Sequence, residues 1–432
     1  MNASYRNWFC FWLIAVFIAA CTAPTLVPTS EPTTLRFAYL GHDEDYKILA
    51  DEFQEQYPDV IIELVPISLR EQVRGFELLF EQFQESDVVR VNTTFLGPDQ
   101  LDSIYPLDEF MASSENFPRQ EFFPGSLEAL QYEQRQLGVP AGLDPMVIFY
   151  ENIRFKVASA TPLDPDYTLG DLLKSAKQIN NQGASLTSGN FSYGFCTTPL
   201  EYDPVAVAYI FGGGLYDQMP EPAQPMLNSP ANVEAISWYD RLWSEHALAP
   251  KVTNNIYQTY EYIASTTCGY WMNWLTMFGY AETFPVQGRV LPLPRVDESS
   301  VSARSVPAFL EGYFITRYSP NPEAAWNWIN FIVQRQEASF RLIPPLTWQI
   351  DSDEYAQRAS PDVLAVAHSL PMDLPFFSLS YINDPRVPEI SNVFQEAVRQ
   401  VVVDNADVQT ALDEAQKQAE EIFSSFGSNT QP

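Results

Sequence analysis

The feature that most constrains the fold is a strand, helix and strand pattern near the start of the chain. Apolar and polar residues alternate from Thr34 to Leu40, which is typical of a strand with one buried face. Apolar residues then recur at helical spacing, at Tyr46, Leu49, Ala50, Phe53 and Tyr57. A second strand pattern runs from Asp59 to Val65. Because strand, helix and strand at this spacing form a βαβ unit, we predict an α/β protein with parallel strands.

The same alternation returns along the rest of the chain. Short apolar runs at residues 86–91, 145–150 and 267–274 predict further strands. Serine or asparagine followed by proline predicts helix starts at Ser229 and Asn321. A final amphipathic helix is predicted from Val408, Leu412, Ala415, Ala419 and Ile422. The 432 residues suit two such α/β units rather than one domain.

The N-terminal segment has the pattern of an export signal. An apolar stretch from Phe9 to Ala20 follows Arg6 and leads into Cys21. The stretch is too short to span a bilayer as a helix, but it suits the core of a signal peptide. Its last four residues, Ile-Ala-Ala-Cys, resemble the bacterial lipoprotein box. We therefore predict a signal peptide at residues 1–20 and a lipid on Cys21; an ordinary export signal with a chance cysteine is the alternative.

Residues 21–33 are then the lipidated cysteine and a tether, since they are rich in proline, threonine and serine. The predicted location is the outer face of the bacterial cytoplasmic membrane or the periplasm, with the protein held by its lipid. In that oxidising compartment Cys196 and Cys268 remain either as one disulfide or as two buried free thiols.

The chain is strongly acidic, with a formal net charge of -31 and a pI near 4.3. Such a surface repels nucleic acid, whose phosphates need lysine and arginine partners. We therefore expect no nucleic acid partner. The acidity leaves open a receptor for a polyamine or another cation, although the charge is spread along the chain rather than clustered.

Catalytic motifs have little support in this sequence. The three histidines, His42, His246 and His368, lie far apart, and none of the common metalloprotease, hydrolase or phosphate-loop motifs is present. Three consecutive glycines at residues 212–214 lack the spacing of a dinucleotide site and predict a tight turn. We expect no enzyme, metal or cofactor. A secreted lipoprotein glycoside hydrolase stays open as an alternative, because 55 acidic residues offer many carboxylate pairs.

Several segments together resemble the extracellular solute-binding proteins of ABC importers, in the sugar-binding group related to maltodextrin receptors. The segments that carry the resemblance are ILADEFQEQYPDVIIELV, SDVVRVNTTFL, YPLDEF, LGVPAGLDPMVIFYEN, LNSPANVEAISWYDRLW, TTCGYWMNW, VLPLP and EGYFITRYSPNPEAAWNWINFIV. Taken in order, these segments span roughly residues 34–425. The chain departs from the family at Tyr167 and Thr168, where the family often has a threonine–tryptophan pair, and this puts the ligand in doubt more than the fold.

The resemblance implies a two-lobed, periplasmic-binding-protein-like α/β fold. Each lobe is a mostly parallel sheet flanked by helices, and the ligand cleft lies between the lobes. The implied first lobe is residues 34–140 plus 312–337, and the second is 145–308 plus 338–425. Residues 426–432 form a tail.

The resemblance also implies a monomeric receptor that closes on a neutral polar solute, a mono- or oligosaccharide, and delivers it to the membrane subunits of an ABC permease. Sugars present apolar C–H faces to aromatic rings and hydroxyls to polar side chains, so we take aromatic and polar residues at strand ends and lobe crossings as candidate ligand contacts. They are His42, Asp43, Thr93, Thr94, Asp144, Trp271, Asn273, Trp274, Glu311, Tyr313 and Trp348. The alternative roles are helix caps or turns for the polar residues and core packing for the aromatic ones. Three aromatic residues of one helix are predicted as core: Trp326, Trp328 and Phe331.

Overall fold

A computed structural model gives the architecture of the chain. It describes residues 32–41, 46–67, 80–185, 188–219, 224–246, 248–252, 258–279, 288–300, 306–335 and 342–427. The lipoprotein box and Cys21, as well as His42 and Asp43, lie outside the described residues.

The first sheet has five strands in the order β2-β1-β3-β11-β6. These strands are β1 (Thr33–Leu40), β2 (Val60–Ile67), β3 (Val88–Asn92), β6 (Gly138–Asp144) and β11 (Phe309–Ile315). Strand β1 pairs in parallel with β2 and β3, and β11 pairs antiparallel with β3 and β6. The predicted βαβ unit is confirmed, with helix α1 (Lys47–Gln56) between its two strands.

The second sheet has four strands in the order β10-β7-β9-β8. They are β7 (Met146–Tyr150), β8 (Tyr193–Cys196), β9 (Cys268–Trp274) and β10 (Arg289–Leu291). Strands β8 and β9 are parallel, while β7 runs antiparallel to β9 and β10. A small hairpin of β4 (Gln131–Tyr132) and β5 (Arg135–Gln136) stands apart from both sheets.

Helices surround the two sheets. Those before residue 200 are α2 (Pro98–Asp102), α3 (Asp108–Ser113), α4 (Ser126–Ala129), α5 (Asn152–Ala158) and α6 (Leu169–Ile179). They are followed by α7 (Asp203–Ile210), α8 (Pro230–Ser244), α9 (Gln258–Ala264), α10 (Thr276–Gly279) and α11 (Pro322–Val333). The remaining helices are α12 (Thr347–Ile350), α13 (Asp353–Arg358), α14 (Pro361–Ser369), α15 (Leu379–Ile382), α16 (Arg386–Asp404) and α17 (Val408–Gly427). None of the helices within the described ranges is both long and apolar enough to cross a membrane.

Local sequence explains several of these boundaries. The Ser229 side chain accepts a hydrogen bond from the Asn232 backbone N–H at the start of α8, as its sequence predicts. The predicted glycine turn is also present: Gly212 has a φ of +83°, and a Cβ on Gly213 would lie 1.9 Å from Asn232 Oδ1. Helix α11 buries Trp326, Trp328 and Phe331, which confirms their predicted place in the core.

Candidate functional site

The chain crosses between the two sheets at the carboxyl ends of several of their strands. Strands β3 and β6 finish at Asn92 and Asp144, on either side of the start of β11. The chain then passes through Pro145 into β7, whose first residue, Met146, pairs with Trp274 at the end of β9. The carboxyl ends of the parallel strands of both sheets therefore face one region, which is where open α/β sheets bind ligands.

An open pocket lies at this edge on the side of the second sheet. It sits at the carboxyl ends of β8 and β9 and has a volume of about 160 Å³. Its wall combines aromatic and polar side chains, and within the described residues no lysine or arginine lines it. The lining residues are Met146, Cys196, Glu201, Tyr202, Asp203, Thr259, Tyr260, Ile263, Trp271, Met272, Asn273 and Trp274.

Trp274 lines this pocket from the last position of β9. Its side chain is partly buried and its ring centroid lies 4.5 Å from that of Phe309, 5.8 Å from Tyr202 and 6.2 Å from Phe377. Asn273 Oδ1 accepts a hydrogen bond of 2.8 Å from the Trp274 backbone N–H. These contacts hold the indole in one place, so an aromatic surface is already formed at the pocket wall.

The pocket also carries two carboxyl groups, Glu201 and Asp203. Burial raises the pKa of Asp203 to about 7, and the charge of Glu201 adds to the shift. Thr197 Oγ1 donates a hydrogen bond of 2.6 Å to Asp203 Oδ2, which acts in the opposite direction. Burial likewise raises the pKa of Glu201, against a hydrogen bond from Tyr260. Near neutral pH Asp203 is therefore present both as the acid and as the carboxylate, so it can donate as well as accept hydrogen bonds.

Asp144 and Glu311 lie next to the pocket but are buried, 1% and 2% exposed. Asp144 Oδ2 accepts from Asn92 Nδ2 at 2.9 Å, and Asp144 Oδ1 accepts from the Thr276 backbone N–H at 2.7 Å. Glu311 Oε2 accepts from Arg90 Nε at 2.7 Å. The structure thus brings four predicted residues close to the crossing between the sheets: Asp144, Glu311, Asn273 and Trp274. The first two make hydrogen bonds within the protein.

Other candidate residues point elsewhere. Tyr313 is fully buried in the core beneath the first sheet, where its hydroxyl lies 3.0 Å from that of Tyr46. Trp271 is 4% exposed and stacks on Phe149 with centroids 5.4 Å apart, so it forms the pocket floor mainly as a core residue. Trp348 lies in a separate crevice between α12 and α14. The segment just before α12 is held beside β6 of the first sheet, where Ile343 pairs with Leu143.

The two threonines after β3 differ from each other. Thr93 is fully buried, and Thr94 is exposed. The Thr94 backbone N–H and hydroxyl both donate to Asn92 Oδ1, at 3.0 and 2.9 Å. The two threonines therefore serve mainly to cap the turn after β3. This is the alternative to ligand binding that the sequence left open for them.

A disulfide joins Cys196 to Cys268 beside the pocket, with Cα atoms 5.7 Å apart. Cys196 ends β8 and lines the pocket, while Cys268 begins β9. The bond ties the two neighbouring parallel strands together next to Trp271, which pairs with Cys196 in the strand register.

The model of the bacterial extracellular solute-binding protein family matches residues 41–338. The chain belongs to this family. Because the family consists of binding proteins, the hydrolase alternative loses its support. Of the residues that the structure describes, no group of three or more histidine, cysteine, aspartate or glutamate side chains could hold a metal ion.

Solved structures share the fold of this solute-binding protein. An ABC substrate-binding protein of Listeria monocytogenes in complex with cycloalternan is 15% identical, with a TM-score of 0.64, over 91% of this chain and 99% of its own. Maltose-bound MalE3 of T. maritima is 19% identical, with a TM-score of 0.60, over 90% of this chain and 100% of its own. A D-mannitol-bound solute-binding protein of Agrobacterium vitis S4 is 16% identical, with a TM-score of 0.57, over 91% and 99%. The expected two-lobed, periplasmic-binding-protein-like fold is confirmed. The prediction that both sheets are mostly parallel is wrong: both sheets are mixed, because β11 runs antiparallel to β3 and β6, and β7 runs antiparallel to β9 and β10.

The pocket residues of this solute-binding protein that sequence reasoning missed include Glu201, Tyr202, Asp203 and Tyr260. Glu201 and Tyr202 lie in the loop between β8 and α7, and Asp203 is the first residue of α7. That loop did carry a signal, since Cys196 ends a short apolar run and Pro204 sits in the first turn of a helix. Tyr260 had none, because it lies on α9 and meets the loop only through the fold.

Proposed function

We propose that this solute-binding protein captures a neutral polar solute, a mono- or oligosaccharide, and delivers it to the permease of an ABC importer. The observation that carries the proposal is the pocket at the ends of β8 and β9. A partly buried tryptophan stands there beside two carboxyl groups, whose pKa values are raised by burial, and an amide. An aromatic ring covers the C–H face of a sugar, and carboxyl and amide groups satisfy its hydroxyls.

The similar structures support this choice, because they were solved with cycloalternan, maltose and D-mannitol. All three ligands are neutral and rich in hydroxyl groups. In this proposal the lobes, residues 34–140 plus 312–337 and residues 145–308 plus 338–425, close around the solute. Closure is a population shift, since a ligand that touches both lobes stabilises the closed state over the open one. The closed monomer then docks on the permease.

We also propose that the protein works at the outer face of the cytoplasmic membrane or in the periplasm, held by a lipid on Cys21. The family supports an extracellular site of action. A diacylglycerol thioether together with an amide-linked acyl chain supplies more than one hydrocarbon tail, which is what stable anchoring requires.

A cation receptor is the second candidate, because Glu201 and Asp203 line one pocket that no described lysine or arginine shares. The raised pKa values of both acids weigh against it. A bound cation is most favourable beside carboxylates that are fully ionised, and here burial opposes ionisation.

A thermal-shift screen separates these candidates. The protein is heated with monosaccharides, oligosaccharides, polyols, polyamines and short peptides in separate wells. A ligand at about 100 times its Kd adds about 2.7 kcal/mol to the free energy of unfolding, which raises Tm measurably. A shift with a sugar supports the proposal. A shift with polyamines alone selects the cation receptor and overturns it.

A further inference from the structure

The carboxyl group of Asp144 is hydrogen-bonded to the first sheet and to the segment that directly follows the second sheet. Asn92, which donates to one of its oxygens, ends β3 in the first sheet. Thr276, whose backbone N–H donates to the other oxygen, begins α10 two residues after β9 of the second sheet. Asp144 itself is the last residue of β6, where the chain first crosses between the sheets. One side chain therefore ties the two halves of the molecule at the crossing.

The surrounding bonds make this tie specific. Asn92 Oδ1 already accepts two hydrogen bonds from Thr94, so the Asn92 amide is held with its NH₂ group towards Asp144. On the other side, the Leu275 backbone N–H donates to the Pro145 carbonyl at 3.0 Å, and Met146 pairs with Trp274. The position of Trp274 at the pocket wall is thus connected to the crossing through a few bonded residues.

We infer that Asp144 is a positioning residue, a latch that fixes the relative orientation of the two lobes at the first crossing. The residue touches the chain on both sides and does not need to touch solute. By holding the lobes in the arrangement described here, it sets how much of the protein is ready to bind. The inference goes beyond the proposed function, because it holds whatever the solute is.

The strength of this latch depends on whether the Asp144 carboxyl group is protonated, and the charges around it determine the direction of the pH effect. The charged group that faces Asp144 is Glu311 on β11, which is paired with Arg90 on β3; Asn92 and the Thr276 N–H are neutral donors. Burial and Glu311 raise the pKa of Asp144 to about 8, against the two hydrogen bonds. The described arrangement therefore favours the proton-bound acid. As pH rises from about 4 towards 8, arrangements that hydrate Asp144 gain population by linkage, and the gain levels off above about 8.

The test measures the distance between the lobes without any ligand. Spin labels are placed on exposed residues of α1 and α8, as Gln54→Cys and Glu234→Cys, with Cys10 and Cys21 changed to serine. Pulsed electron resonance then records the distance distribution at about pH 6 and about pH 9.5, on either side of the Asp144 transition. We expect a broader distribution at the higher pH. Asp144→Asn, which is neutral at both values, should abolish that response.

Two variants of Thr276 test the bond itself. Thr276→Pro removes the donated N–H at the first residue of a helix, a position where proline is tolerated. Thr276→Ala keeps the N–H and is the matched control. We expect a broad distribution already at about pH 6 for Thr276→Pro alone. The inference is overturned if Asp144→Asn keeps the wild-type pH response, or if the proline and alanine variants give the same distribution. The Thr276 pair decides the question even if Asp144→Asn does not fold.

Discussion

Replacing Trp274 by alanine tests the proposed pocket most directly. The indole is partly buried and contacts Phe309, Tyr202 and Phe377, so its removal weakens both the aromatic cluster and the pocket wall. For a ring that stacks on a ligand, truncation costs about 1.4–3 kcal/mol of binding free energy, which is about tenfold or more in Kd. We expect a loss of affinity of that size for the sugar that the screen identifies.

The same change also affects stability, and the structure sets its scale. A fully buried tryptophan costs about 3–5 kcal/mol when it is cut to alanine. Trp274 keeps part of its surface in solvent, so its loss should cost less, about 1–3 kcal/mol. Trp328, which is 0% exposed beneath the first sheet, is the matched control. Trp328→Ala should cost the full amount of stability and leave the affinity of the folded fraction unchanged.

Isothermal titration calorimetry gives the affinity, and urea unfolding gives the free energy of unfolding. Trp274→Phe is a graded variant, since it retains a smaller ring and should lose part of the affinity. If Trp274→Ala lowers stability while each folded molecule still binds with wild-type affinity, Trp274 is a core residue and the pocket has been assigned to the wrong place.

Three further predictions rest on separate parts of the chain. Cys21→Ser should abolish lipidation and move the protein from the membrane fraction to the soluble one; a mutant that still carries acyl chains in mass spectrometry contradicts the anchor. Changing Cys196 and Cys268 together to serine opens a loop with a sequence separation of 72 and should lower the free energy of unfolding by about 4 kcal/mol, to be read from urea melts, whereas an unchanged midpoint argues against a stabilising bond. Burial raises the folded-state pKa of Asp203 from 3.8 to about 7, so the folded state loses stability progressively between about pH 4 and pH 7; Asp203→Asn should flatten the pH dependence of Tm over that range, and an unchanged slope would show that another group is responsible.

Periodicity predicted the framework of this protein well because local sequence decides it. The βαβ unit at residues 33–67 and the capped start of α8 both follow from the spacing of apolar residues and from one serine. The burial of Trp326, Trp328 and Phe331 follows from the apolar composition of α11, whose residues from Ala325 to Val333 are almost all buried. These features need no information about distant parts of the chain.

The site was harder, because its residues come together only through the crossings. Asp144 shows why: its position at the end of β6 fits a ligand contact, but whether it faces solvent depends on Asn92 and Thr276, which are far from it in the chain. Glu311 and Tyr313 lie on either side of Gly312 on β11. Both are buried and hydrogen-bonded inside the protein, Glu311 to Arg90 and Tyr313 to Tyr46, and these partners are distant in sequence. Tyr260 reaches the pocket from α9, and no local pattern marks it.

The acidity of the chain and the neutrality of the proposed solute are compatible for a physical reason. A net charge of -31 raises the cost of ionising one more carboxyl, and burial in the pocket raises it further for Glu201 and Asp203. Near neutral pH a proton occupies part of the Asp203 population, and a polyamine that binds the carboxylate would have to displace it. By linkage, the affinity for a cation should rise as pH increases through about 7, whereas a sugar that accepts a hydrogen bond from the protonated acid should bind no better at the higher pH. The sign of that slope distinguishes the two kinds of receptor from the chemistry of the pocket alone.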